Sequence, residues 1–301
     1  MRVLLTGADG QLGQHLRRCC PDTVELISSG RVTGDRPCDL TDQAAVRRML
    51  DQVRPELVLN AAAWTAVDAA EDHPAEAFAL NAELPDGLAD WCHQNDAALI
   101  TYSTDYVFGG SPGRPWREDD ACQPDSVYGR SKRAGELSIL NSAARALIIR
   151  TAWVYSALPG NFLSAILARA AAGQSLRVVD DQTGSPTWAG TLAEASWQLA
   201  KLGPEKWSGP ELVHVAGTQA MSWHRFAELA LKQAVSADLI DQAVPVEAIS
   251  SDEWPQKARR PNWSVLDCSR YSDWTGQVLA SVEQALEDCT AQWTTWTTSQ
   301  Y

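Results

Sequence analysis

Short β-branched runs alternate with helical stretches through the first half of the chain, and a glycine-rich turn joins the first run to the first helix. These two observations predict an α/β protein centred on a doubly wound parallel sheet, because continuous apolar strands separated by helices need cover on both faces. A change of rhythm after Tyr155 adds a smaller C-terminal lobe. The fold expected is therefore Rossmann-type, with ligands held at the carboxyl ends of the strands.

Val3–Thr6, Val24–Ile27, Leu57–Asn60, Leu99–Ser103 and Leu147–Val154 read as strands, and 11–19, 42–53, 74–95 and 126–143 as helices. Beyond Tyr155 the pattern gives helices near 161–172, 188–201 and 221–235, with strands at 176–179 and 211–215. The division expected is a nucleotide-binding domain at 1–155, its sheet completed by parts of 176–215. A substrate lobe then lies mostly within 156–290, and 291–301 form a polar tail.

A net charge of −13, from 38 acidic against 25 basic residues, repels a phosphate backbone, and no basic cluster offsets it. Nucleic acid and anionic membrane are thereby disfavoured as partners, whereas a small anionic ligand can still bind at a helix N-terminus. The start of the chain runs directly into an apolar strand without a leader, and no stretch nears the roughly 20 apolar residues that span a bilayer. Seven scattered cysteines without zinc or redox spacing suit a reducing compartment, so a cytoplasmic location is expected. None of His15, His73, His93, His214 and His224 sits in a metal spacing, and no serine nucleophile elbow occurs. Neither a metal centre nor a hydrolase is expected.

The first turn, Thr6-Gly7-Ala8-Asp9-Gly10-Gln11-Leu12-Gly13, spaces three glycines by three between strand and helix. Such a turn lets a pyrophosphate approach the backbone and the helix N-terminus, which favours its charge. An acid at the end of the second strand commonly holds the ribose of NAD; here Ser28-Ser29-Gly30-Arg31 stands instead, a combination suited to a 2′-phosphate. NADPH is thus the expected cofactor, with NADH as the alternative. Asp39 offers a carboxylate to the adenine, although Asp39 or Asp42 equally suits the cap of the next helix. Ala61, Ala62 and Ala63 are small where a cofactor would cross the sheet.

Ser103-Thr104-Asp105-Tyr106 ends the fourth strand, and Tyr128 and Lys132 follow at a spacing of four. On a helix that spacing places both side chains on one face. Reducing a ketone by hydride requires a proton for the developing alkoxide. A tyrosine supplies it when a neighbouring ammonium favours its phenolate, and Thr104 is placed to hydrogen-bond the carbonyl oxygen.

These motifs resemble the extended short-chain dehydrogenase/reductase superfamily, and within it the dTDP-4-dehydrorhamnose reductases. The resemblance spans nearly the whole chain through Asn60-Ala61-Ala62-Ala63, Thr65-Ala66-Val67-Asp68, Ser103-Thr104-Asp105-Tyr106-Val107-Phe108, Val127-Tyr128-Gly129, Trp153-Val154-Tyr155, Asn161-Phe162, Asp181-Gln182, Pro186-Thr187 and Arg259-Arg260-Pro261. It implies reduction of the C4 keto group of dTDP-4-dehydro-β-L-rhamnose, with Tyr128 as proton donor, Lys132 as its electrostatic helper and ribose contact, and Thr104 as third member. Gln11, Leu12, Asp39, Leu40, Ala63 and Thr65 would line the cofactor. Val67, Thr104, Asp105, Tyr106 and Trp153 would face the sugar, in a monomer or homodimer.

The chain departs from the family at Trp64, Ala69 and Gly109, and at Asn262-Trp263-Ser264 after Arg260-Pro261. Two further readings share the fold: a cofactor-binding regulatory subunit without turnover, similar to the β subunit of methionine adenosyltransferase, and a nucleotide-sugar epimerase or dehydratase. A dehydratase would want an acid pair after the strand-end threonine, whereas Asp105 is followed by Tyr106.

Overall fold

A computed structural model describes residues 1–31 and 33–297. The first half builds β1 (Arg2–Thr6), α1 (Gln11–Arg18), β2 (Glu25–Ser29), α2 (Gln43–Val53), β3 (Leu57–Asn60), α3 (Val67–Ala70), α4 (Pro74–Phe78), α5 (Leu84–Gln94), β4 (Ala98–Thr104), α6 (Val127–Leu140) and β5 (Arg145–Thr151). The second half builds β6 (Val154–Tyr155), α7 (Phe162–Ala171), β7 (Leu176–Val179), β8 (Thr183–Gly184), β9 (Thr187–Trp188), α8 (Ala189–Lys206), β10 (Glu211–His214), β11 (Met221–Ser222), α9 (Trp223–Ser236), β12 (Val246–Ile249), α10 (Ser269–Thr275) and α11 (Val282–Thr297).

The central sheet has the order β10-β5-β4-β3-β1-β2 and every pairing in it is parallel. The doubly wound sheet read from the alternation is therefore the observed one. β3 and β4 are buried along their whole length, which is why their sequences read as unbroken apolar runs. Two apolar clusters cover the faces: Leu5, Leu59, Ile100, Leu192 and Trp197 on one, Leu4, Val58, Leu88, Trp91 and Leu99 on the other. A third, including Leu163, Ile166, Phe226, Leu231 and Leu286, belongs to the C-terminal half.

Three element readings are corrected. The run Leu147–Val154 is two strands: β5 ends at Thr151, Trp153 turns the chain with a left-handed φ of 47°, and β6 pairs with β9 in a separate ribbon. The strand at 176–179 pairs with β12 instead of joining the central sheet; only 211–214 does so. The helix at 74–95 is interrupted by a π-helical turn at Ala79–Glu83. In addition, residues 291–297 of the expected tail continue α11 as helix, and 298–301 lie outside the described residues.

Candidate active site

The glycine turn opens onto a crevice of about 440 Å³. Gly7 has φ 71°, and a Cβ there would overlap the Ala61–Ala62 backbone at the end of β3, so the turn and the neighbouring strand end meet backbone to backbone. Gly10 caps α1 without a side chain, leaving that helix's first amides open toward the crevice. Gly7, Gly10, Arg31, Asp39, Leu40, Ala61, Ala62, Ala63 and Thr65 all line it, together with Trp64. Other residues expected at the cofactor do not line it. Gly13 packs under Gly7, Leu12 packs against the sheet core, and the Gln11 carboxamide oxygen accepts hydrogen bonds from Ser156 Oγ at 2.7 Å and Asn161 Nδ2 at 3.0 Å.

The β2 end differs from the sequence reading. Ser28 and Ser29 are buried, and the Ser28 amide and hydroxyl both donate to Asp35 Oδ2 at 2.8 Å, so neither serine faces a ligand. Only exposed Arg31 of that trio lines the crevice. A carboxylate nevertheless lies at the β2 end: Asp9, in the glycine turn, accepts a hydrogen bond from Thr33 Oγ1 and occupies the space where Gly30 lacks a side chain. No spacing rule links residue 9 to residue 33, which is why this carboxylate escaped sequence reasoning. Asp42 is the cap of α2, through Ala44 N and Ala45 N at 2.9 and 3.0 Å. Asp39 accepts from Thr41 and lines the crevice.

α6 carries Tyr128 and Lys132, and its N-terminus is set by Ser126, whose hydroxyl accepts from Gly129 N at 3.1 Å. Both side chains are buried. The Tyr128 ring packs with Trp64, Val67 and Tyr106, meeting Tyr106 edge-on at 5.5 Å, and so borders the crevice through Trp64. Burial pushes its phenol up to about 12, with Thr104 opposing and Asp105 reinforcing that rise. Lys132 Nζ donates to the Tyr102 carbonyl at 2.9 Å, and burial lowers its pKa to about 8. Thr104 Oγ1 donates to Asp105 Oδ1 at 2.9 Å. The Asp105 carboxyl is 1% exposed and is raised to about 6 by burial.

Trp153 stacks face to face on Trp223, centroids 3.5 Å apart. Trp223 in turn lines a second cavity of about 310 Å³ with Phe162, Trp254, Arg169, Arg177 and Arg260. Neither Trp223 nor Trp254 falls in a motif of the sequence: Trp223 opens α9, and Trp254, beside Pro255, stands in an irregular segment whose tryptophan is the available signal. Asn81, at the π-helical turn, was also missed. Its side chain bonds the Trp64 amide at 2.9 Å, the Trp64 carbonyl at 3.0 Å and Ser131 Oγ at 3.0 Å, tying the crevice loop to α6.

A strand-end threonine, a buried Tyr–Lys helix and a glycine-lined crevice on one parallel sheet define a nucleotide-binding oxidoreductase class. The solved UDP-glucose 4-epimerase of Thermus thermophilus, 20% identical with a TM-score of 0.78 over 98% of this chain and 99% of that one, shares this fold. The model of the RmlD substrate binding domain matches residues 1–295, and the chain belongs to that family. It is 40% identical to the dTDP-4-dehydrorhamnose reductase of Streptomyces griseus over 90% of this chain and 86% of that protein. The structure of dTDP-4-dehydrorhamnose reductase from Bacillus anthracis in complex with NADP superposes with a TM-score of 0.86 at 29% identity, over 97% of this chain and 99% of that one.

Proposed function

We propose that this protein reduces the C4 keto group of dTDP-4-dehydro-β-L-rhamnose with NADPH to give dTDP-L-rhamnose, NADH being the alternative donor. Family membership supports the reaction, and the observation that supports the site is the meeting of Thr104 with Tyr128, whose ring packs by Trp64 of the glycine-lined crevice, with Lys132 one turn further along α6. The crevice suits a dinucleotide: its floor is backbone and alanine, its phosphate end is a helix N-terminus, and Asp39, Arg31 and Asp9 border the far end. When bound, the reduced nicotinamide supplies the hydride.

This chain's own residues do the rest. Tyr128, held protonated, delivers its phenolic proton to the carbonyl oxygen as negative charge develops there. Lys132, one turn further along α6 and donating to the Tyr102 carbonyl, is assigned the ribose contact and the positive charge that favours the phenolate. Thr104 aligns the carbonyl oxygen with Tyr128. Val67, Tyr106 and Trp153 border the sugar, and the second cavity, with its aromatic rings and arginines, suits the base and diphosphate of the substrate. We assign 1–155 with 211–214 to the cofactor lobe and most of 156–290 to the substrate lobe, in a cytoplasmic enzyme. Among the described residues no helix is long and apolar enough to cross a membrane.

The test is loss of reduced-nicotinamide absorbance with dTDP-4-dehydrorhamnose as substrate, for the wild type and Tyr128→Phe. Turnover is expected to fall by about 10²–10⁴-fold in the variant, with NADP⁺ binding retained. Wild type that binds NADPH without ever oxidising it would favour the regulatory-subunit reading.

A further inference from the structure

We propose that Asp105 is a positioning residue: when its carboxyl carries a proton, it releases the Thr104 hydroxyl proton to the reacting carbonyl, and when ionised it withdraws it. The inference rests on the reductase reading and deepens it.

A hydroxyl has one proton to donate. Thr104 Oγ1 gives that proton to Asp105 Oδ1 at 2.9 Å and accepts from the Tyr106 amide at 3.3 Å. A carboxylate only accepts, so with Asp105 ionised the Thr104 hydroxyl has nothing left to offer a substrate oxygen or the Tyr128 phenolate. A neutral carboxyl reverses the bond, donating to Oγ1 and freeing its proton. No other group need move.

A second effect has the same sign. Negative charge on Asp105 raises the Tyr128 phenol, so it opposes the phenolate that proton donation leaves behind. Neutral Asp105 therefore helps both members of the pair.

The surroundings favour the neutral form. Asp105 Oδ2 is buried and takes no hydrogen bond of good geometry, an arrangement costlier for a charged oxygen than for a neutral one. The titratable groups facing Asp105 are the Tyr106 and Tyr128 phenols, both held neutral by burial, while the Ser264 hydroxyl partly offsets the rise. The Arg260 guanidinium, which acts on the neighbouring Tyr106, is engaged with Asp68 at 2.7 Å. Burial carries the carboxyl to about 6, so its proton is exchanged close to neutrality.

The experiment is the pH profile of kcat for wild type, Asp105→Asn, Thr104→Ser and Thr104→Val, with NADP⁺ binding as the control for folding. The wild-type rate is expected to decline by up to about tenfold per pH unit above the Asp105 midpoint. Asp105→Asn, whose amide always donates, should lose that decline, Thr104→Val should keep, at its lower rate, only the shallower part that acts directly on Tyr128, and Thr104→Ser should keep it in full. A decline that persists in Asp105→Asn, or one as steep in Thr104→Val as in the wild type, overturns the proposal. So does Asp105→Asn with the low rate of Thr104→Val at every pH. Infrared difference spectra of the resting protein read the same titration without turnover, as a protonated-carboxyl band that Asp105→Asn removes. Absence of that band overturns the proposal, and its presence in a protein that reduces no keto sugar would place the failure in the reductase reading instead.

Discussion

Tyr128 and Lys132 are shifted in opposite directions by the same cause. Burial disfavours the charged form of each, so the phenol starts protonated and the ammonium becomes the more easily deprotonated of the two. At the other end of the crevice, Asp9 and Arg31 oppose one another. A 2′-phosphate bound there would gain from Arg31 and be repelled by Asp9, which Thr33 and the bare Gly30 hold at the β2 end. Both groups are exposed, so each is worth about 0.2–1 kcal/mol. Asp9→Asn should raise the NADP⁺ over NAD⁺ affinity ratio by roughly two- to fivefold, and Arg31→Ala should lower it by a similar factor. Tryptophan fluorescence titration at low salt measures both. An unchanged ratio in Asp9→Asn would mean that the carboxylate does not sense the ribose.

The π-helical turn at Ala79–Glu83 is the element that joins the glycine-lined crevice to α6. A π turn inserts one extra residue into a helix and is uncommon without a role. Here it presents Asn81, whose carboxamide satisfies both backbone groups of Trp64 and reaches Ser131, the residue before Lys132. Asn81→Ala leaves the half-buried amide and carbonyl of Trp64 without their partner, while Ser131 keeps its bond to the Tyr128 carbonyl, and should cost about 1 kcal/mol for each group left unsatisfied, read by urea unfolding. Asn81→Asp keeps the acceptor for the Trp64 amide but loses the donor side, so an intermediate loss is expected. Equal stability of all three proteins would show that water replaces these bonds.

Across the whole molecule, α6, β5 and β10 are tied by a buried ionic network. Arg150 bonds Glu136 through Nε at 2.6 Å and through its terminal nitrogen at 2.8 Å, and it stacks over Phe108. His214 completes it as a neutral ring, between Arg150 at 3.4 Å and the Asp267 carbonyl at 3.2 Å. Glu136→Gln leaves the guanidinium without its counter-charge and should destabilise by roughly 3–5 kcal/mol, measured as the shift in urea unfolding. Burial and Arg150 hold His214 down to about 3, and burial and Arg18 hold His15 down to about 4. Both folded values lie below the unfolded one, so the unfolded chain binds more protons as pH falls below about 6.5. Stability should be full above that value and decline toward pH 4, by up to about 1.4 kcal/mol per pH unit for each histidine. His214→Gln should reduce the slope; an unchanged slope would remove His214 as its source.

The one-dimensional pattern was enough for the parallel sheet, the glycine turn, α6 with its Tyr–Lys spacing and the strand-end Thr104, because periodicity and local spacing depend on neighbours within a few residues. It was not enough where partners lie far apart in sequence. The chain turn at Trp153, the separate ribbons of β6 and β7, the carboxylate of Asp9 at Thr33, the Asn81 bridge and the Trp153–Trp223 stack all depend on contacts between distant segments. Spacing brought Tyr128 and Lys132 together. Only the packed fold decided which proton each group holds, since burial sets those pKa values and burial is a property of the assembled chain.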